Sequence, residues 1–147
     1  MAVRELDSFP RLVTVSNRLP VVVEQGEGGL EVRTGSGGLV TALAPILRHR
    51  GGIWIGWPGP TGEEGLEELL RTASADAGYE LRPVLLSAAQ VRLFYDGFCN
   101  EVLWPLFHDL QSRCVFRPEY WRSYQEVNRR FARAVTENVD PGDFVWV

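Results

Sequence analysis

Gly35-Ser36-Gly37-Gly38 runs straight into Leu39-Val40-Thr41-Ala42-Leu43, a glycine turn feeding a helix. Without a Cβ in the way, such a turn lets backbone approach a ligand closely. The helix aims its unpaired N–H groups and the positive end of its dipole back at the turn, an arrangement suited to phosphate. Ahead of the turn, the β-rich Leu12-Val13-Thr14-Val15-Ser16 ends in Asn17-Arg18. A guanidinium at the C-terminal edge of a first strand lies where open α/β sheets bind ligands, and it offers a planar fork to phosphate oxygens. Plainer uses exist for both: the glycines can solve a packing problem, and Arg18 can make a surface salt bridge.

Aromatic residues are the second chemical signal. Val91 to His108 is the most aromatic part of the chain and holds Tyr95 and Trp104, while Trp57 closes an earlier apolar run. Aromatic faces pack against the C–H side of a pyranose, and a tyrosine hydroxyl adds a hydrogen bond. Trp57, Tyr95 and Trp104 can serve in this way or as satisfied core residues. Trp54, Phe94, Phe98 and Phe107 read as core. Asp96 and His108 sit at a spacing that specifies no chemistry, and structural roles are expected of both.

Positioning these residues requires alternating strands and helices. Residues 1–10 read as a flexible leader that stops at Pro10, with the domain covering 11–147. Arg11 to Ser16 is an almost unbroken apolar run, as in a buried parallel strand. Pro20-Val21-Val22-Val23-Glu24 and Leu30-Glu31-Val32-Arg33 flank Gln25-Gly26-Glu27-Gly28-Gly29, a hairpin pattern. That hairpin either folds over the ligand crevice as a flap or is a surface feature of no consequence. Leu39, Ala42, Leu43, Ile46 and Leu47 repeat at helical spacing; Pro45 can kink the helix, and His49-Arg50-Gly51-Gly52 ends it. Ile53-Trp54-Ile55-Gly56-Trp57 reads as the second strand, Glu63 to Ser74 as an amphipathic helix and Glu80 to Leu86 as the third strand. Ser87 caps a further helix with Gln90 three residues on. Tyr120, Tyr124, Val127, Phe131, Ala134 and Val135 mark a long helix from Pro118 to Val139. Asp140-Pro141-Gly142 stops it, and Asp143-Phe144-Val145-Trp146-Val147 begins another buried strand. A domain ending on a core-type strand is expected to be the N-terminal part of a larger protein.

Composition narrows the function classes. The 147 residues are 45% hydrophobic and 23% charged, with a net charge of −4. That is a soluble globular profile without the basic surplus a nucleic-acid backbone demands. No run approaches the roughly 20 apolar residues of a membrane span, and residues 1–10 lack a signal-peptide core. Cys99 and Cys114 have no metal-ligand spacing and read as reduced cytoplasmic thiols; His49 and His108 lack ligand partners nearby. No metal or cofactor is expected. A nicotinamide-binding fingerprint is not met either, since Val40 stands where its third glycine belongs and the second strand ends in Trp57 rather than an acidic residue.

Four stretches together resemble the UDP-forming trehalose-6-phosphate synthases, retaining glucosyltransferases of the two-domain GT-B fold. They are Val15-Ser16-Asn17-Arg18-Leu19-Pro20, Ser36-Gly37-Gly38-Leu39, Gly52-Ile53-Trp54-Ile55-Gly56-Trp57-Pro58-Gly59 and Phe98-Cys99-Asn100-Glu101-Val102-Leu103-Trp104-Pro105. Phe116-Arg117-Pro118-Glu119-Tyr120-Trp121, with Tyr124, Val127 and Asn128, extends the likeness. Any one motif is weak; their order along nearly the whole chain is specific.

The resemblance implies an α/β, Rossmann-like parallel sheet with flanking helices, part of the N-terminal, acceptor-side domain of a GT-B enzyme, carrying an inserted β-hairpin. It implies glucosyl transfer from UDP-glucose to glucose 6-phosphate with retention and without metal. Carried over by position, Arg18 binds the acceptor phosphate, Trp57 and Tyr95 line the acceptor site, Gly37 and Gly38 belong to the loop closing on the donor, and Trp104 bears on acceptor anomer selectivity. The His-Asp-Tyr-His-Leu-type motif and the basic donor-site residues of the family lie downstream of Val147. No catalytic group is therefore expected in these residues, and the chain alone is expected to be inactive. A homo-oligomer of the complete cytoplasmic enzyme is compatible with this. The alternatives are a sister enzyme such as a glucosylglycerol-phosphate synthase and a non-catalytic sugar-phosphate-binding relative.

Overall fold

The computed structural model describes residues 10–59 and 64–147. The expected leader, apart from Pro10, lies outside the described residues, as does the expected start of the second helix at Glu63. The elements in order are β1 (Leu12–Arg18), β2 (Val21–Gly26), β3 (Gly29–Thr34), α1 (Gly38–Arg50), β4 (Gly52–Trp57), α2 (Leu66–Ala77) and β5 (Glu80–Pro83). There follow α3 (Ala88–Gln90), a π-helix (Val91–Leu103), α4 (Trp104–Phe107), a 3-10 turn (Gln111–Arg113), α5 (Pro118–Asn138) and β6 (Phe144–Trp146).

Four strands form a parallel sheet in the order β5-β4-β1-β6. Successive side chains on a strand point to opposite faces, and the two faces carry separate cores. Leu12 and Trp54 face α1 and α2, packing with Leu43, Leu47, Leu66 and Leu70. Val13, Val15, Ile53 and Ile55 face α5 and pack with Phe131, Ala134 and Val135. A parallel sheet covered on both sides explains the near-continuous apolar runs of β1 and β4. Burying a side chain as completely as Ile55 or Val13 contributes about 2 kcal/mol. The exposed Glu68–Arg71 ion pair adds little beside that.

Several boundaries differ from the sequence reading for local reasons. α2 runs past Ser74 to Ala77, where Gly78 takes a left-handed cap and its N–H bonds the Ser74 carbonyl. β5 stops at Pro83 instead of Leu86, because its pairing with β4 ends at Gly56↔Pro83. β6 is an edge strand rather than a buried one: Phe144 and Trp146 are 58% and 49% exposed, since among the described residues β1 alone flanks it. It is held by Arg11, which forks to Asp143 at 3.1 and 2.6 Å and reaches Asp140 at 2.8 Å. That fork lowers the Asp143 pKa and raises that of Arg11.

The hairpin β2–β3 is not a free flap. Val23 is fully buried in the α1–α2 core, where Val21, Leu30 and Val32 also pack. Its N–H donates to the Pro58 carbonyl at 2.8 Å, and the Gly35 N–H closes the hairpin base on the Pro20 carbonyl at 2.7 Å. Val21 and Val23 of β2 and Leu30 and Val32 of β3 share one face that needs a surface to cover, and the core supplies it.

Candidate functional site

The C-terminal ends of β1 and β4 meet at Arg18 and Trp57. Up to Val15↔Ile55 the strands run in step, but the next pair is Arg18↔Trp57. Three residues of β1 thus match two of β4, a bulge of one residue. An inserted residue exchanges the faces of a strand. Without it, Arg18 would share the face of Leu12 and Thr14, toward α1. With it, Arg18 emerges on the face of Trp57, and Leu19 turns into the α1–α2 core.

Close approach of the two backbones makes the bulge possible. A Cβ on Gly56 would lie 2.6 Å from both the Arg18 carbonyl carbon and the Leu19 nitrogen, so only glycine fits there. The Leu19 N–H donates to the Trp57 carbonyl at 2.9 Å, and the Val84 N–H to the Gly56 carbonyl at 2.8 Å.

Arg18 is exposed, yet its guanidinium carbon stands 4.8 Å from the Trp57 ring centroid and 5.6 Å from that of Tyr95. Both lie within cation–π range. Trp57 is only 5% exposed and forms a fixed floor, while Tyr95 is half-buried. The two rings restrain the guanidinium but leave its N–H fork available for a bidentate anion.

Tyr95 is delivered by the helix that starts at Ser87. The Ser87 hydroxyl accepts from the Gln90 N–H and the Gln90 side chain accepts from the Ser87 N–H, the reciprocal cap read from the sequence. The π-helix that follows is pinned to α5 on both sides of Tyr95. Phe94 stacks on Tyr124 and Phe98 packs against it at a tilt, with centroids 6.0 and 4.4 Å apart. Tyr120 packs flat where a Gly97 Cβ would stand 2.6 Å from its ring, and its hydroxyl donates to Glu101 at 2.8 Å. That hydrogen bond raises the Tyr120 pKa.

The glycine turn closes the base of the hairpin, with Gly35 bonded to Pro20, two residues past Arg18. Gly37 is the N-cap of α1 with φ +143°, in the region that disfavours an L side chain, and no side chain caps the helix. Gly37 and Gly38 are exposed, with nothing within 4 Å of where a Cβ would stand.

Trp104 opens α4, directly after the π-helix that carries Tyr95. It is 53% exposed and stacks on His108 at 3.9 Å, whose Nδ1 meets the Trp104 carbonyl at 2.7 Å. Within this chain Trp104 is therefore not part of either core. Trp54 and Phe94 are buried as expected, but Phe107 is 78% exposed and is no core residue: it sits at the last turn of α4, where no described element covers it. Phe98 is half-buried between Trp121 and Tyr124. The bulge and the need for Gly56 escaped the sequence reading. Their one signal was a lone glycine inside an apolar strand.

Residues 10–147 match the glycosyltransferase family 20 model. The trehalose-6-phosphate synthase of Mycolicibacterium gilvum is 45% identical over 136 residues, covering 92% of this chain and 27% of its own length. That of Mycobacterium tuberculosis is 42% identical over 139 residues, covering 92% and 28%. Among solved structures, the Escherichia coli protein bound with UDP-2-fluoro glucose aligns at a TM-score of 0.67 and 27% identity, over 92% of this chain and 27% of that one. A UDP-forming α,α-trehalose-phosphate synthase of Burkholderia xenovorans in complex with glucose-6-phosphate aligns at 0.65 and 26%, over 93% and 28%. The chain thus spans little more than a quarter of the relatives it matches, and its parallel sheet with flanking helices is theirs. With the family model matched from Pro10 to the last residue, this chain belongs to glycosyltransferase family 20.

Proposed function

We propose that this chain is the acceptor-side part of a UDP-forming trehalose-6-phosphate synthase. The observation that carries this reading is the Arg18 guanidinium resting against Trp57 and Tyr95 at the strand ends of the sheet. Arg18 forks to the phosphate of glucose 6-phosphate, a charge-assisted contact about twice as strong as a neutral one. Trp57 and Tyr95 line the sugar, and the open α1 N-terminus at Gly37 and Gly38 faces the donor side. Trp104 bears on which acceptor anomer is taken.

In the reaction, the bond from the glucosyl anomeric carbon to the UDP oxygen breaks. A bond from that carbon to the anomeric oxygen of glucose 6-phosphate forms on the same face. The acceptor proton passes to the leaving diphosphate, so no protein nucleophile is required. What these residues supply is position: they hold the acceptor hydroxyl toward the donor, which lowers the entropic part of the barrier. The 147 residues alone hold the acceptor but do not transfer glucose, because the donor-site residues of the family belong to the remaining length of the relatives.

Two measurements test the reading. NMR titration of the chain with glucose 6-phosphate should shift the Trp57 indole and Arg18 side-chain signals at concentrations where glucose leaves them unmoved. A response to glycerol 3-phosphate alone would point to the sister glucosylglycerol-phosphate activity. Grafting these residues in place of the aligned part of the Mycolicibacterium gilvum enzyme should give UDP release from UDP-glucose and glucose 6-phosphate. A folded graft with no such release overturns the proposal.

A further inference from the structure

Ser16 lies on the side of β1 away from Arg18's ligand face, yet it touches the arginine's backbone. Its hydroxyl donates to the Arg18 carbonyl at 2.6 Å and accepts from the Trp54 indole N–H at 2.8 Å. A serine hydroxyl has one donor and two acceptor positions, so both contacts are made at once. Trp54 is completely buried in the α1–α2 core, so this relay anchors the bulged end of β1 to an immobile side chain.

We propose that Ser16 is a positioning residue for the acceptor phosphate, acting through the Arg18 backbone; this rests on Arg18 being the phosphate ligand. The Arg18 carbonyl lies at the end of the one-residue bulge, where the pairing interrupted after Val15 resumes at Arg18↔Trp57. The Leu19 N–H bond to the Trp57 carbonyl holds the nitrogen side of that peptide, and the Ser16 hydroxyl holds its oxygen side. Fixing the Arg18 peptide fixes where the side chain leaves the strand, and hence its seat over Trp57 and Tyr95. Losing the hydroxyl strips the acceptor from a buried indole N–H and the donor from the bulge carbonyl together. An unpaired buried donor is costly, so the bulge is expected to shift until each group finds another partner.

The test is glucose 6-phosphate titration of the chain, followed by NMR, for parent, Ser16→Ala, Ser16→Thr, Arg18→Ala and the Ser16→Ala/Arg18→Ala double variant. Ser16→Ala should move the Trp54 indole proton upfield and weaken binding about three- to tenfold, the range of one or two lost hydrogen bonds. Ser16→Thr, which keeps the hydroxyl, should restore most of the affinity. On the Arg18→Ala background, Ser16→Ala should cost nothing further, because the relay would have no arginine left to aim. If Ser16→Ala does not fold, the near-isosteric Ser16→Cys makes the same comparison with a weak donor. Parent-like binding by the Ser16 variant, or an undiminished loss on the Arg18→Ala background, overturns the proposal. Parent-like binding by Arg18→Ala alone instead overturns the assignment of Arg18 to the phosphate.

Discussion

A Cβ on Gly56 would stand 2.6 Å from the carbonyl carbon of Arg18. The contact is backbone to backbone, so no side chain can rotate away to relieve it. Gly56→Ala must push β1 and β4 apart where the bulge forms. Overpacking of this kind costs about 2 kcal/mol. Urea unfolding of the chain should show that loss, and glucose 6-phosphate affinity should fall with it. Unchanged stability would mean that the two strand ends are looser than described.

Arg18 presents a guanidinium already restrained by two rings. In the grafted enzyme, Arg18→Ala should lower kcat/KM for glucose 6-phosphate about ten- to a hundredfold, the worth of a charge-assisted hydrogen bond. The KM for UDP-glucose should change little. Arg18→Lys keeps the charge but loses the fork, and should fall between. Steady-state kinetics with each substrate varied in turn decides the matter, and a defect confined to UDP-glucose would remove Arg18 from the acceptor phosphate.

Trp104 is 53% exposed and contributes little to any core. Trp104→Ala should therefore change stability by no more than about 0.5 kcal/mol. In the grafted enzyme, the same change should relax the preference for one acceptor anomer, measurable from the product anomer ratio. A large drop in Tm with an unchanged ratio would assign Trp104 to packing alone.

Asp143 ties β6 to β1 through Arg11, and its pKa lies below the ordinary aspartate value of 3.8 because of that fork. A depressed folded pKa contributes stability that is fully present above the ordinary value and lost as pH falls through the folded one. The stability gap between parent and Asp143→Asn should therefore be constant from neutral pH down to the ordinary aspartate range. Below it, the gap should close. Thermal unfolding of both proteins across acid pH checks the sign; a gap that widens on acidification would contradict the fork.

Much of the architecture was legible in the sequence because it is local. The apolar runs of β1 and β4, the hairpin glycines, the Ser87–Gln90 cap and the stripe of α5 depend on neighbours a few residues away, and each element formed where its residues called for it. The edge character of β6 and the exposure of Phe107 were not legible, since burial depends on what else packs against a segment. The hairpin's seat in the α1–α2 core was hidden for the same reason: alternation shows that one face is apolar, not which surface covers it.

The sequence by itself determined which chemistry was on hand: a guanidinium after the first strand, a glycine turn before a helix, and aromatic rings to receive a sugar. The tertiary structure alone decided that Arg18 meets Trp57 and Tyr95, residues far apart in the chain. The reason is a single inserted residue. Strict alternation along Leu12 to Arg18 would have aimed Arg18 at α1, away from the rings. The bulge between Val15 and Arg18, admitted by the bare backbone of Gly56, exchanges the faces. A strand's face is fixed by its register with a partner strand, and that register is a property of the pair, not of either segment alone.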